Sequence, residues 1–262
     1  MSNLDKIRRK IDEKKMVLGV FVTMADCAVS EIVGYAGFDY VWIDAEHAAL
    51  DRQEIYHHIL AAQSAGAAAF VRVPGVDPAQ VKAILDMGPD GIIFPFVETA
   101  EIAELAVRSC LYPPIGMRGQ GPIRAIKYGL DDENAYIENS SAKVWKILQI
   151  ENMKGYENLD AIMNVEGYDS IFVGPADLAR SIQLPAAEKQ ARLSAILDDI
   201  GQRLAKRHIV AGSATGSSPE NIQECKNRGF HWLAIAQDVR VLGSGLRDIL
   251  GKNRSHNENK AI

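Results

Sequence analysis

Glu151 and Asp177 are the acidic residues best placed to do chemistry in this chain of 262 residues. Each follows a short apolar run. Val144-Trp-Lys-Ile-Leu-Gln-Ile precedes Glu151, and Ser170-Ile-Phe-Val-Gly-Pro leads to Asp177. If the first run is a strand, Trp145, Ile147, Gln149 and Glu151 share one face of it. Two carboxylates converging on one pocket repel each other unless a proton or a cation separates them. With oxygen ligands alone, that cation would be Mg²⁺ or Mn²⁺ keeping several waters. The plainer reading is that both are solvated loop acids, or that Asp177 caps the turn after it.

Two more apolar runs end on polar groups. Tyr40-Val-Trp-Ile runs into Asp44, Glu46 and His47, and Ala69-Phe-Val ends on Arg72. A histidine beside carboxylates can be a general base near neutral pH; a helix cap is the alternative. A guanidinium ending a buried strand can clamp a carboxylate ligand or serve a structural ion pair. Gly174-Pro175-Ala176 can offer backbone N–H groups to an anion at a helix start, although Gly-Pro turns are common. His57 and His58 sit in a helical pattern and read as surface or packing residues. Imine chemistry lacks a lysine: Lys146 comes early in its run with parity opposite to Glu151, so it should point away from the pocket. Cys27, Cys110 and Cys225 are odd in number and far apart, which reads as packed, reduced thiols in a cytoplasmic protein.

The elements that must hold these residues alternate. Gly37-Phe-Asp-Tyr, Gly88-Pro-Asp-Gly, Gly167-Tyr-Asp-Ser and Gly229-Phe-His-Trp each follow a helical pattern and open a buried strand. Strands are expected near 17–22, 39–43, 68–73, 91–95, 144–150, 169–173, 209–214 and 231–236. Helices are expected at 27–36, 51–65, 77–87, 99–110, 153–163, 187–207, 219–228 and 238–250, after a short opening helix that carries Leu4, Ile7 and Ile11. Alternating strands and helices argue for a parallel sheet, and eight strands close a (β/α)8 barrel, with catalytic groups at the carboxyl ends. A doubly wound sheet is the alternative, but Gly19-Val-Phe-Val-Thr lacks its glycine fingerprint. The chain reads as one domain, 1–262, with a long Gly/Pro-rich connection at 112–143 and a frayed polar tail from Gly251 to Ile262.

Composition narrows the function classes. Apolar residues make up 47 % and charged residues 24 %, and the formal net charge is -5. That leaves no basic footprint for nucleic acid. No apolar run approaches membrane-spanning length, and the charged amino terminus lacks a signal-peptide core.

Six motifs, in order, carry a resemblance: Trp42-Ile-Asp-Ala-Glu-His47, Val71-Arg-Val73, Leu85-Asp-Met-Gly88, Tyr112-Pro-Pro-Ile-Gly-Met-Arg-Gly119, Gln149-Ile-Glu151 and Phe172-Val-Gly-Pro-Ala-Asp-Leu178. On these the chain resembles the metal-dependent class II pyruvate aldolases of the HpcH/HpaI type. The resemblance implies a TIM barrel of the phosphoenolpyruvate/pyruvate-binding type, its last helix exchanged between subunits of a homo-hexamer. It implies Glu151 and Asp177 as ligands of Mg, Mn or Co. Arg72, Gln149 and the backbone at Gly174 and Ala176 would bind pyruvate, and His47, paired with Asp86, would be the acid–base group. The activity implied is reversible cleavage of a 4-hydroxy-2-oxo acid to pyruvate and an aldehyde, of the kind used in aromatic compound catabolism.

The departures lie on the aldehyde side. Phe21 stands where relatives often carry Trp, and Ala211-Gly-Ser-Ala-Thr215 is small and polar where others are bulkier. An oxaloacetate decarboxylase, a citrate-forming synthase and a catalytically silent keto-acid-binding barrel remain as alternatives.

Overall fold

The eight apolar runs fold into eight parallel strands that pair in chain order and close into a barrel. The computed structural model describes residues 1–258. In chain order the elements are α1 (Asn3–Asp12), β1 (Val17–Val22), α2 (Ala28–Tyr35), β2 (Tyr40–Asp44), α3 (Arg52–Ser64), β3 (Ala68–Arg72), α4 (Pro78–Asp86), β4 (Gly91–Phe94), α5 (Ala100–Cys110), a 3-10 segment (Arg124–Gly129), α6 (Glu133–Lys143), β5 (Trp145–Ile150), α7 (Met153–Glu157), α8 (Leu159–Met163), β6 (Ser170–Val173), α9 (Pro175–Ser181), α10 (Ala186–Lys206), β7 (Val210–Ala214), α11 (Pro219–Asn227), β8 (Trp232–Gln237) and α12 (Asp238–Glu258).

Most expected elements fall within a residue or two of these bounds, the usual uncertainty of fraying ends. Three differences are informative. The 112–143 connection is partly helical, because Asp132 caps α6 by accepting from Ala135 N–H. The helix expected at 153–163 breaks at Asn158, whose backbone leaves the helical region (φ -91°, ψ 7°). Helix α12, expected to end near 250, continues to Glu258; no proline interrupts it, and Lys, Arg and Glu are good helix formers. Residues 259–262 lie outside the described residues.

Period-two alternation divides the strand side chains between two cores. One face of β2, β3, β5, β6 and β8 fills the barrel with Tyr40, Trp42, Phe70, Trp145, Ile147, Phe172 and Trp232, and Leu4 and Ile7 of α1 close the amino end. The other face (Val41, Ile43, Val71, Leu148, Ile150, Ile171) packs under the helices. The ring pairs lie close, with centroids 4.7 Å apart for Trp42–Phe172 and 4.9 Å for Phe172–Trp232. Burying each such ring contributes roughly 2 kcal/mol.

Space for the rings comes from glycine on the next strand. Gly19 pairs in register with Tyr40, Gly91 with Phe70 and Gly212 with Trp232. A Cβ at these three positions would fall 2.3, 2.7 and 2.2 Å from the neighbouring ring. The barrel is therefore a filled core and not a pore. The residue that follows the last apolar side chain on each inward face has only the carboxyl mouth left to point into. On β2, β3 and β5 those residues are Asp44, Arg72 and Gln149. Among the described residues no helix is long and apolar enough to cross a membrane.

Candidate active site

Arg72 is buried at the barrel mouth and its guanidinium is engaged on two sides. Nε donates to Asp44 Oδ1 at 3.1 Å and Nη2 to Asp44 Oδ2 at 2.6 Å, a two-point contact. Nη1 forms an ion pair with Glu46 Oε2 at 3.1 Å. The guanidinium also lies 5.4 Å from the centre of the Trp42 ring, the top of the filled core. Register sets this arrangement, since Asp44 pairs with Arg72 across β2 and β3. Asp44 Oδ1 further accepts from the backbone N–H of Glu46 and of His47, both at 3.2 Å, and so shapes the loop that carries His47. Burial raises the Glu46 carboxyl above its usual range, against the opposing pull of Arg72.

His47 leans outward. Its side chain is 62 % exposed, with Nε2 3.8 Å from Glu46 Oε2. It is not a helix cap, because Asp51 caps α3. Asp86 ends α4, where Arg118 Nη2 donates to its Oδ1 at 2.8 Å. Among the described residues, no hydrogen bond joins His47 to Asp86 within one chain. Arg118 is buried and lies over the Tyr112 ring at 4.7 Å, which ties the long connection to α4.

Glu151 sits just past β5, almost fully buried. Its Oε2 accepts from Gln149 Nε2 at 2.6 Å and its Oε1 from the backbone N–H of Phe96 at 2.9 Å. Phe96 holds that N–H in place from a left-handed backbone (φ 47°), costly for an aromatic residue. Gly174 supplies the space: a Cβ there would lie 2.8 Å from Glu151 Cβ and 2.9 Å from its Oε2. Burial pushes the Glu151 carboxyl up to about 7, with the charges of Glu46 and Asp177 acting in the same direction. Asp177 lies in the first turn of α9 and its charge also reaches Glu46.

The backbone at the start of α9 has a more limited role than its sequence suggests. The Gly174 N–H is spent on Ile150 O at 2.9 Å, and Pro175 has none. Gly174 thus gives room, and Ala176 is the first residue of α9 with an N–H to offer a ligand.

These residues fit a hard divalent cation. The carboxylates of Glu151 and Asp177 repel, Glu151 is held by two donors but stays disfavoured as an anion, and the buried Oε1 of Gln149 has no hydrogen-bond partner. A cation would relieve the first two conditions. Among the described residues no three His, Cys, Asp or Glu side chains stand in ligating positions, so water and substrate oxygens must complete the shell.

Beside Ala176 the mouth opens into a cavity of about 650 Å³, walled by Phe21, Thr215 and the start of α12. A second cavity, about 720 Å³, opens at the amino end of the barrel among Ser2, Arg8 and Asp90; barrel enzymes do not place their chemistry there. Lys146 is also far from the mouth. It is buried, donates to Ser141 O and Val144 O, and pairs with Asp169 at 2.6 Å. His58 is buried against Ser30 at 2.7 Å and His57 is exposed. All three cysteines are free, and burial pushes the Cys110 thiol up to about 12.

Sequence reasoning picked out Asp44, His47, Arg72, Asp86, Gln149, Glu151 and Asp177. It missed Phe96, which no sequence signal marks, because left-handed positions are normally betrayed by glycine. It also passed over Arg118 as a partner of Asp86.

Known proteins match this barrel along nearly its whole length. The family model for HpcH/HpaI aldolase/citrate lyase matches residues 17–244. The hydroxypyruvate/pyruvate aldolase of Roseobacter denitrificans is 32 % identical over 249 residues, 95 % of this chain and 97 % of that protein. The 2-dehydro-3,6-dideoxy-6-sulfogluconate aldolase of Pseudomonas putida is 33 % identical over 234 residues, 89 % of this chain and 91 % of that one. The crystal structure of an HpcH/HpaI aldolase from Desulfitobacterium hafniense superposes with a TM-score of 0.86 at 27 % identity, covering 94 % of this chain and 96 % of the other.

Proposed function

Because the chain belongs to the HpcH/HpaI aldolase/citrate lyase family, we propose that it is a divalent-metal-dependent aldolase that reversibly cleaves a 4-hydroxy-2-oxo acid to pyruvate and an aldehyde. What supports this reading is buried Glu151 at the carboxyl mouth, held by Gln149 and Phe96 and within reach of the charges of Asp177 and the clamped Arg72. Mg²⁺, Mn²⁺ and Co²⁺ are the candidate metals.

Glu151 and Asp177 would hold the cation, which when bound supplies Lewis-acid stabilisation of the enolate. Arg72, fixed by Asp44 and Glu46, adds positive charge where the substrate becomes negative and needs no reorganisation to do so. The Ala176 N–H, at the start of α9, would be available to the pyruvate carboxylate. Gln149 orients Glu151 through Nε2 and keeps Oε1 for a substrate or water donor. In cleavage, His47 takes the proton from the 4-hydroxyl, and the C3–C4 bonding pair moves into the enolate as the aldehyde carbonyl forms. Protonation at C3 then releases pyruvate.

The reading extends to assembly. α12 carries exposed Val241, Leu242 and Leu246, which a neighbouring copy would cover if the last helix is exchanged within a hexamer. Within one chain Asp86 is held by Arg118, so the same reading assigns the His47–Asp86 pairing to a contact between copies. The free thiols suit a reducing, cytoplasmic setting.

Coupled assay of pyruvate release from a 4-hydroxy-2-oxo acid tests the proposal. Activity should vanish on chelation and return with Mg²⁺, Mn²⁺ or Co²⁺. Full activity in the chelated enzyme would refute it.

A further inference from the structure

The cavity beside Ala176 continues the mouth towards α12, and its walls sort by chemistry. Phe21 and Ala214 are apolar, Thr215, Ser217 and Gln237 are neutral and polar, and Arg240 is the single charged residue among the described lining. Arg240 is exposed and has no ion-pair partner among the described residues. The nearest acid in sequence, Asp238, is already committed: its carboxylate accepts from Thr23 N–H, Thr23 Oγ1, Met24 N–H and Val239 N–H. The cavity therefore presents one uncompensated positive charge and no negative one.

Its position gives that charge a use. The wall at Ala176 adjoins Asp177, one of the two carboxylates assigned to the cation, so the cavity begins where the pyruvate half of a substrate would end. A volume of about 650 Å³ exceeds what the small aldehyde half needs. Resting on the aldolase reading above, we infer that Arg240 is a specificity-determining residue, selecting aldehydes that carry a terminal anion such as a carboxylate or a sulfonate. A guanidinium matches either oxyanion with paired donors, while Thr215 and Ser217 supply neutral hydroxyls for substrate hydroxyl groups along the way.

The test is aldol addition of pyruvate to pairs of aldehydes of equal length, succinic semialdehyde against butanal, measured as kcat/KM. The wild-type enzyme should favour the acidic aldehyde, and added salt should narrow the preference. Arg240→Gln should lower the acidic-to-neutral ratio about tenfold, the scale of one lost charged hydrogen bond. Arg240→Lys should keep part of it, and Arg240→Glu should invert it. A ratio near one in the wild type, or one unchanged in Arg240→Gln, would overturn the inference. Proton exchange at the pyruvate methyl, which needs no aldehyde, separates the two levels. Exchange without charge preference sinks this inference alone, and absence of exchange in the wild type sinks both it and the aldolase reading.

Discussion

Gly174 makes room for Glu151: a Cβ at position 174 would fall 2.8 Å from Glu151 Cβ and 2.9 Å from Oε2. The two residues come from neighbouring strand ends, and Gly174 N–H bonds Ile150 O, so neither backbone can easily withdraw. Gly174→Ala should then push the Glu151 carboxylate off Gln149 and Phe96. The expected cost is about 1–3 kcal/mol of stability, typical of overpacking, together with a loss of Mn²⁺ affinity. Calorimetric titration with Mn²⁺ reads this directly, and unaltered affinity in a folded variant would count against Glu151 as a ligand.

Arg72 pairs with two acids, so its removal should be costly. Arg72→Met leaves buried Asp44 and half-buried Glu46 without their cation, and truncating one partner of a buried pair costs about 3–5 kcal/mol. Arg72→Lys keeps the charge but not the two-point contact with Asp44, and should fall between the two. Urea unfolding of the three proteins gives the order, and adding Asp44→Asn to Arg72→Met should recover part of the loss.

The Glu151 carboxyl, pushed up to about 7 from its ordinary 4.5, makes the metal-free protein pH-sensitive in one direction. Between those values the folded chain holds a proton that the unfolded chain has released. The contribution of this group to stability is therefore greatest below 4.5, falls as pH rises through the window, and is flat above about 7. Metal affinity runs the opposite way, rising with pH until Glu151 is ionised. Unfolding and Mn²⁺ titrations at about pH 5 and about pH 8 check both signs. Glu151→Gln should abolish this part of the stability slope, and an unchanged slope would assign it to another group.

Much of this site was legible because the strand period is two. Alternation along β5 sends Gln149 and Glu151 to one face and Lys146 to the other, while Asp44 and Arg72 were marked by ending their apolar runs, and in the structure the first four lie at the mouth and Lys146 away from it. Less legible were groups whose role depends on tertiary neighbours. Phe96 serves through a backbone N–H in a strained conformation, and Arg118 reaches Asp86 from 32 residues away. Gly174 carried the opposite lesson. Its glycine identity suggested an anion-binding N–H, yet closure of β6 against β5 consumes that donor and leaves only the missing side chain as its contribution. The start of α9 was legible at Gly174-Pro175-Ala176, but its extent was not, because its seven residues show less than two turns of pattern.

Lys146 should give no imine. Its ammonium is tied to Asp169, Ser141 O and Val144 O at the amino end of β5. Borohydride with pyruvate should leave the protein mass unchanged, and Lys146→Met should be less stable but still exchange pyruvate protons. A reduced pyruvate adduct would point to a different class of aldolase.

Pyruvate methyl exchange in heavy water, followed by proton NMR, reads enolate formation without any aldehyde and so tests the central claim most directly. The account predicts loss of the methyl signal with the Mg²⁺-, Mn²⁺- or Co²⁺-loaded protein, and none after chelation or in Glu151→Ala. Exchange that persists in Glu151→Ala, or that never occurs in the metal-loaded wild type, would contradict it.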